Sequence, residues 1–480
     1  MMKVKLFALL GVLLILFSGI KLSAQEANYW NIQQGPEATL MGGAFTAGVR
    51  DNTAIVYNPG ALGFIDNSSL SVSGDAAFFY ILNIKNGAGD GINLSEFSGD
   101  AISMVFSGII RLGKNKKFRL NYGGFGKEYS HLRFLAEHEE FTLIPDSVPG
   151  NNIYFGDFDY RNRIKEDWYG LGWGTTITSN LSVGLSMMVA NRSQFYGRNT
   201  KAGLATVDTT QTSSTPIAFS SFSDDLQFSN FSFLWIVGIN YELKNWKLGL
   251  NITTPRVNQT ILGRGTLVRS QIYAPPEGDS LARLYATVQR SVKTRYRSPW
   301  IIDLGVEYAF HKTTIAGRIS YYSKVKPYNM LFSKQPETAS EIITLPPNDP
   351  GFINMQSASK QVVNVAVGLR QTLSKSFTLL AGFRTDFNYF DDKTLDQQEA
   401  YYAIMSYWDM YHISGGVVWK HEKLMVNIGI DYGFGYSRGN EQMINLTNPT
   451  LKNYMQGVLG NDTRASYHQV SGILGMTYLF

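Results

Sequence analysis

The sequence predicts an all-β fold, a transmembrane antiparallel β-barrel of about fourteen strands. Three observations predict it. Apolar and polar residues alternate with period two over long segments, about ten to fifteen residues each, where soluble strands run to ~5–6 and bilayer-spanning strands need ~9–11. The connections between these segments are short and long in strict alternation. The chain ends on an aromatic residue, Phe480, with Gly472, Leu474, Met476 and Tyr478 at alternate positions behind it, a pattern that resembles the signal read by barrel-assembly machinery.

Composition agrees. Of 480 residues only 17% are charged, against ~25% in ordinary globular chains. Aromatics reach 13%, and there are 46 glycines. A mean hydropathy of −0.12 excludes a bundle of membrane helices. A formal charge of +5 gives no reason to expect a nucleic-acid partner. With no Cys there is no disulfide framework, thiolate metal site or lipoprotein anchor.

Residues 1–24 read as a cleaved export signal. Lys3 and Lys5 precede the apolar run from Leu6 to Phe17, and Ser23-Ala24 offers a cleavage site. An uncleaved anchor helix is the alternative. Residues 25–66 do not alternate and form a separate segment ahead of the first strand. Residues 67–480 form the expected barrel.

Two segments illustrate the alternation. In one, Trp300, Ile302, Leu304, Val306, Tyr308 and Phe310 share a face opposite Asp303, Gly305, Glu307 and Ala309. In the other, Val426, Ile428, Ile430, Tyr432 and Phe434 alternate with Asn427, Gly429, Asp431 and Gly433. The expected strands are 70–82, 101–112, 117–128, 166–178, 181–193, 229–243, 246–257, 299–310, 313–325, 360–373, 377–390, 410–420, 423–436 and 466–480. Short turns fall at 113–116, 179–180, 244–245, 311–312, 374–376 and 421–422, and long loops at 83–100, 129–165, 194–228, 258–298, 326–359, 391–409 and 437–465. Tight turns on one side and long loops on the other are the asymmetry of bacterial outer-membrane barrels, and an even strand count puts both termini on the periplasmic side. In lipid every backbone polar group must be paired within the protein, which a closed barrel achieves without a free edge. Aromatics should gather at the headgroup level. Trp246, Trp300, Trp408, Tyr411, Trp419 and Tyr436 lie near expected strand ends.

The segment 25–66 carries Ala38-Thr39-Leu40-Met41-Gly42-Gly43-Ala44-Phe45, then Asp51, then Tyr57-Asn58-Pro59-Gly60-Ala61-Leu62. Small residues permit close backbone approach, and Asn58-Pro59-Gly60 is a turn signal. By physics alone this is as readily a space-filling loop as a functional plug. Here the chain resembles the FadL/TodX family of outer-membrane transporters for hydrophobic compounds, with the motif residues Gly42, Gly43, Asp51, Tyr57, Asn58, Pro59 and Gly60. Gly60 stands where the family usually has Ala. Weaker echoes are Leu248-Gly249-Leu250 and Ser298-Pro299-Trp300 leading to Gly305. The resemblance implies that residues 25–66 are an N-terminal plug, or hatch, closing the barrel from the periplasmic side, and that a kinked third strand opens a lateral gap for apolar ligand.

The third expected strand contains Gly123, Gly124 and Gly126. Glycines there mark bulges or bends, or merely tight packing, and are the candidate for that gap. Inward charges are Arg111, Arg119, Arg192, Asp303, Glu307, Arg318, Arg370, Arg384 and Asp386. A turn at His311-Lys312 would set Arg318 opposite Gly305 and diagonal to Asp303 and Glu307. Lumen-filling salt bridges or a grip on a ligand carboxylate are both open. Gly170, Gly172 and Gly174 share one face and would leave lumen space. The six His show no metal spacing, with His131 and His138 expected in an outer loop. Asp224-Asp225 and Asp391-Asp392 are the pairs that could take a hard cation. No nucleophile and base are tied together, so no enzyme, cofactor or metal is expected.

The function that the resemblance implies is passive uptake of hydrophobic small molecules such as long-chain fatty acids, by a monomer in outer-membrane lipid, with lateral release. The alternative is a non-transporting barrel adaptor, similar to type IX secretion shuttle proteins, that binds exported proteins.

Overall fold

The computed structural model describes residues 27–112, 118–141, 152–208, 213–259, 262–276, 283–332, 355–395, 401–402 and 408–480. The expected export signal lies outside the described residues.

Fourteen antiparallel strands close a barrel: β1 (Ser69–Lys85), β2 (Leu94–Leu112), β3 (Phe118–Phe141), β4 (Asn152–Thr176), β5 (Leu181–Asp208), β6 (Ser213–Leu243), β7 (Trp246–Thr253), β8 (Ile301–Phe310), β9 (Thr313–Tyr322), β10 (Val362–Thr372), β11 (Phe377–Asp386), β12 (Met410–His421), β13 (Leu424–Arg438) and β14 (Arg464–Leu479). Each pairs with its chain neighbours, and β1 pairs with β14 from Ser69↔Leu479 to Lys85↔Arg464. The Phe480 amide, beyond β14, donates to the Ser68 carbonyl at 2.9 Å. Among the described residues no helix is long and apolar enough to cross a membrane.

The expected faces are the observed ones. Leu304 and Ile428 are 55% and 59% exposed on the outer surface, while Asp303, Glu307, Asn427 and Asp431 point inward and are buried. An outward apolar belt around a closed ladder is what a bilayer demands. Trp246, Trp300, Trp419 and Tyr436 are exposed at its margins, but Trp408 and Tyr411 are buried. Tyr411 is covered by ring contacts with Phe383, Phe387 and Phe434.

The long loops need a larger correction. Much of 83–100, 129–165 and 194–228 is strand, for β3 to β6 run on well past the belt. The segment 258–298 contains a hairpin, Arg264–Ala274 with Arg283–Thr294, that pairs along β6. The physical reason is a change of phase. In the belt β4 turns Tyr169, Leu171 and Trp173 outward; beyond it Arg161, Arg163 and Lys165 face out, while Phe158, Tyr160 and Ile164 are buried inside. The apolar face switches sides where lipid gives way to water, so a search for one continuous apolar face stops there. Residues from 437–465 do form a loop, folded into this tall wall: the Tyr154 and Tyr273 hydroxyls donate to the carbonyls of Met455 and Leu451 at 3.1 and 3.0 Å.

His131 and His138 lie on β3 rather than in a loop. Asp224 and Asp225 take opposite faces of β6: Asp224 is buried opposite Arg269, while Asp225 is half-buried on the other face, so the two do not converge on a cation.

The tall end is expected to face outside. A cysteine at Val458, 77% exposed, should react with an impermeant thiol reagent on whole cells, and one at Lys312 should react only after lysis. The reverse pattern would invert the topology.

Candidate hatch and ligand chamber

Residues 27–68 sit inside the turn end of the barrel as short helices, Pro36–Leu40 and Ala54–Tyr57, and a 3-10 turn, Pro59–Phe64. The seat is made of wall glycines. A Cβ on Gly174 would lie 2.7 Å from the Pro59 carbonyl oxygen, one on Gly238 would lie 2.7 Å from the Gly60 nitrogen, and one on Gly305 would lie 2.7 Å from the Ala47 nitrogen. Gly172 approaches Ile55 in the same way. The lumen space expected beside Gly172 and Gly174 is therefore filled by hatch. Gly60 itself approaches the Gly238 carbonyl, at 2.7 Å from an added Cβ, so the Ala usual in the resembled family would need a shift here.

Polar contacts lock this seat. The Asn58 side-chain amide donates to the carbonyls of Thr46 and Ile239, both at 3.0 Å, and its oxygen accepts the Gly60 amide at 2.9 Å. Gly42 and Gly43 take φ of 64° and 82°, a region costly for L side chains. The Tyr57 hydroxyl donates to Gln33 at 2.9 Å and accepts the Gln34 amide at 3.0 Å. Asp51 accepts the Thr53 amide at 2.8 Å, and burial together with Glu37 pushes its carboxyl up to about 6.

The inward charges serve several places rather than one cluster. Arg111 and Arg119 bind the carbonyls of Asp66 and Ile65 where the hatch joins β1. Arg318 lies opposite Gly305, as the turn at His311-Lys312 implies. It pairs with Asp303 at 2.7 Å and reaches the Gly43 carbonyl at 3.3 Å, while Glu307 pairs with Lys247 at 2.6 Å. Arg370 pairs with Glu37 of the hatch. Arg384 pairs with Asp431 at 2.8 Å and donates to the Trp30 carbonyl at 3.3 Å, and Asp386 accepts the Trp30 amide at 2.9 Å.

The glycine run on β3 coincides with a break in pairing. The β2–β3 ladder extends from Leu112↔Phe118 to Phe106↔Gly124 and ends there. Beyond it β2 continues along β1 to Leu94↔Ile84, and β3 along β4 to Phe141↔Ile153. Between Gly126 and Glu128 the β3–β4 register shifts, leaving Lys127 as the bulged residue. Side chains from within reach the β3 carbonyls past the break: Gln34 of the hatch donates to Gly126 at 3.4 Å, and the Tyr80 hydroxyl donates to His131.

Lys127 points into a cavity of about 60 Å³ above the hatch, which Tyr29, Trp168, Tyr296, Tyr322 and Tyr389 help to line. Of the charged residues around it the sequence pointed only to Arg192, and of the others to Ser298 and Pro299. Glu166 receives Arg256 at 2.5 Å, Arg192 at 3.1 Å and the Trp168 indole at 2.6 Å; Arg192 also meets Glu128 at 2.5 Å. Both guanidiniums lie over the Tyr296 ring, 4.2 and 4.8 Å from its centre. The Lys127 ammonium is 3.4 Å from the Tyr29 carbonyl. Three cations thus face two carboxylates in an aromatic chamber. The missed signal was the placing of Glu166 and Arg192 among inward apolar residues beyond the belt. On the turn side of the hatch lies a second space, a polar vestibule of about 530 Å³ whose lining includes Glu37, Arg50, Asp51 and Arg370.

A closed barrel with residues 27–68 seated inside it defines a plugged fourteen-stranded transmembrane β-barrel. Its fold is that of the FadL/TodX channels. A Pseudomonas aeruginosa FadL homologue superposes with a TM-score of 0.58 at 12% identity, over 96% of this chain and 99% of that one. The Pseudomonas putida toluene transporter TodX gives 0.57 at 14%, over 93% and 98%. The Ralstonia pickettii toluene transporter TbuX gives 0.52 at 12%, over 93% and 98%. No protein-family model and no curated protein sequence matches the chain.

Two outcomes follow from the seat. Gly238→Val keeps a good strand former in β6 but collides with Asn58-Pro59-Gly60. It should leave the barrel folded and raise ion conductance in planar bilayers; unchanged conductance would show that the hatch stays seated. Asp51 is the pH-sensitive contact. Its folded-state value of about 6 lies above the ordinary 3.8, so the docked hatch binds the proton more tightly, and docking weakens as pH rises through that window. Hatch amides, corrected for intrinsic exchange rates, should be better protected at pH 4.5 than at 7.5. Asp51→Asn should flatten the difference.

Proposed function

We propose that the protein is an outer-membrane channel for passive uptake of hydrophobic compounds, such as long-chain fatty acids, with release through the wall between β2 and β3. The observation that carries this reading is the end of the β2–β3 ladder at Gly124, next to the bulged Lys127 that enters the aromatic chamber. A lumen filled by hatch leaves no wide aqueous bore and argues against a general porin. The excess cation favours an amphiphile with an anionic head over a plain hydrocarbon. Gly126, past the last β2–β3 pair, lies in the proposed gap, Gly123 and Gly124 are still paired with β2 and form its edge, and the seven hatch-motif residues are the proposed floor that movement must clear.

A second reading rests on the tall wall. Strands β3 to β6 carry a large structured surface beyond the belt, suited to a non-transporting adaptor that binds exported proteins.

Uptake of labelled long-chain fatty acid and labelled toluene by a deletion strain, with and without the gene restored, separates the two. A Cβ on Gly124 would press on Tyr169 at 3.0 Å and on the Phe106 ring at 2.8 Å or less, moving both outer-face rings at the mouth. Gly124→Val should reduce uptake about tenfold, the equivalent of ~1.4 kcal/mol on the barrier, with the barrel still folded. Equal uptake with and without the gene leaves the adaptor reading.

A further inference from the structure

Three cations stand in one row on the outer face of the barrel. Lys85 on β1 is in register with Arg464 on β14, and Arg464 with Arg438 on β13. All three are exposed and share the lipid-side face of their strands with Ile81, Leu474 and Ile430. The row lies at the tall-end margin of the belt. Two residues further down β13, roughly 7 Å along the strand, Tyr436 begins an aromatic group in which the Tyr432 and Tyr436 hydroxyls meet the His468 ring at 2.8 and 3.3 Å. Such groups mark the headgroup level.

Like charges directly opposite one another destabilise a ladder. In the hairpin along β6, Lys293 stands opposite Arg264 as a single pair rather than a row. On β3 and β4 the chain neutralises like charges itself: Arg133 and Arg161 face each other and share Asp159, and Lys165 pairs with Asp167 at 3.2 Å. The row has no such relief: among the described residues Lys85, Arg438 and Arg464 form no ion pair, and the nearby Asp462 is engaged by the Asn86 amide at 2.7 Å. Neighbouring strands stand ≈ 4.7–4.9 Å apart, so the row presents three cationic heads over about 10 Å, two of them guanidiniums whose planar donors match phosphate oxygens.

We infer that the row formed by Lys85, Arg464 and Arg438 binds the phosphates of an anionic lipid headgroup in the leaflet at the tall end of the barrel. The missing counter-charge is then supplied by the membrane, and the bound lipid fixes the height of β13, β14 and β1. The inference does not depend on what passes through the wall.

The test uses purified full-length protein in phosphatidylcholine micelles doped with a diphosphorylated glycolipid (lipid A), read by native mass spectrometry. Wild type should retain the glycolipid. The triple variant Lys85→Gln, Arg438→Gln, Arg464→Gln should lose at least tenfold in retention. Arg438→Lys with Arg464→Lys, and the control Arg133→Gln, Arg161→Gln, Lys165→Gln, should both retain it. Dephosphorylated glycolipid should not bind, and excess inorganic phosphate should not displace the lipid. A heat-dependent gel shift verifies folding; if the triple variant fails it, Arg464→Gln alone decides. Equal retention by the folded variant overturns the proposal. So does displacement by inorganic phosphate, which would make the row a free-anion site.

Discussion

Peptide groups that cross hydrocarbon cost several kcal/mol each if left bare, and the architecture follows from meeting that demand around a closed circuit. The ladder is continuous from β3 through β4 and β5 to β6, and it closes between β14 and β1. The β2–β3 seam is different. It stops at Gly124, opposite Tyr169, the last apolar outward residue of β4 before Asp167. Past that point β3 uses partners from inside the barrel, including Gln34 and Tyr80. The interruption is therefore tied to the hatch, since a side chain of the hatch serves as a backbone partner for the wall.

The hatch depends on the wall in return. Its backbone approaches β4, β6 and β8 at glycine positions where no side chain would fit. Close packing of backbone on backbone leaves little room for slippage, and the amide of Asn58 ties the hatch to itself and to β6 at once. The inward arginines add orientation. Arg318 and Arg384 each hold a wall carboxylate and also donate to a hatch carbonyl. A guanidinium has enough donors to do both, which an ammonium with one compact head does less well.

The fourteen strands and the tight turns among the described residues were legible because each follows from a local rule, alternation against lipid and polar residues at tight turns; the turn expected at 113–116 lies outside the described residues, and the small residues of the N-terminal segment stand where backbones meet. The echoes at Gly249 and Gly305 are explained by the same seat, for they are paired with each other and face Thr46 and Ala47. What was not legible lies beyond the belt. There the apolar face moves inside, as at Phe134 and Tyr160, and a run that looks like a charged loop from its outer residues is a strand. The chamber was hidden for a related reason. Lys127 enters it only because of a bulge, and Glu166, Arg192 and Arg256 come from separate segments whose convergence depends on register and on the path after β7.

The division of hatch contacts also bears on how a ligand could use so small a chamber. A cavity of about 60 Å³ holds far less than a long-chain amphiphile, so on the uptake reading some part of the lining must give way. The segment from Thr46 to Gly63 is seated on glycines by close backbone contact. The segment from Asn28 to Gln34 is held by side chains instead: polar contacts to Asp386, Arg384, Tyr57 and the Gly126 carbonyl, stacking of Tyr29 on Tyr322 and Tyr389, and burial of Trp30 and Ile32; its Asn28, Tyr29 and Asn31 line the chamber. The polar ones among these can be exchanged for others made by a ligand or water, and the Tyr29 stack for contact with an apolar ligand, whereas a backbone seat can only be vacated. Displacement of Asn28–Gln34 alone would enlarge the chamber and withdraw Gln34 from the edge of β3 while Asn58 and Gly60 keep the floor in place. The same short segment thus connects chamber volume to the state of the β2–β3 seam.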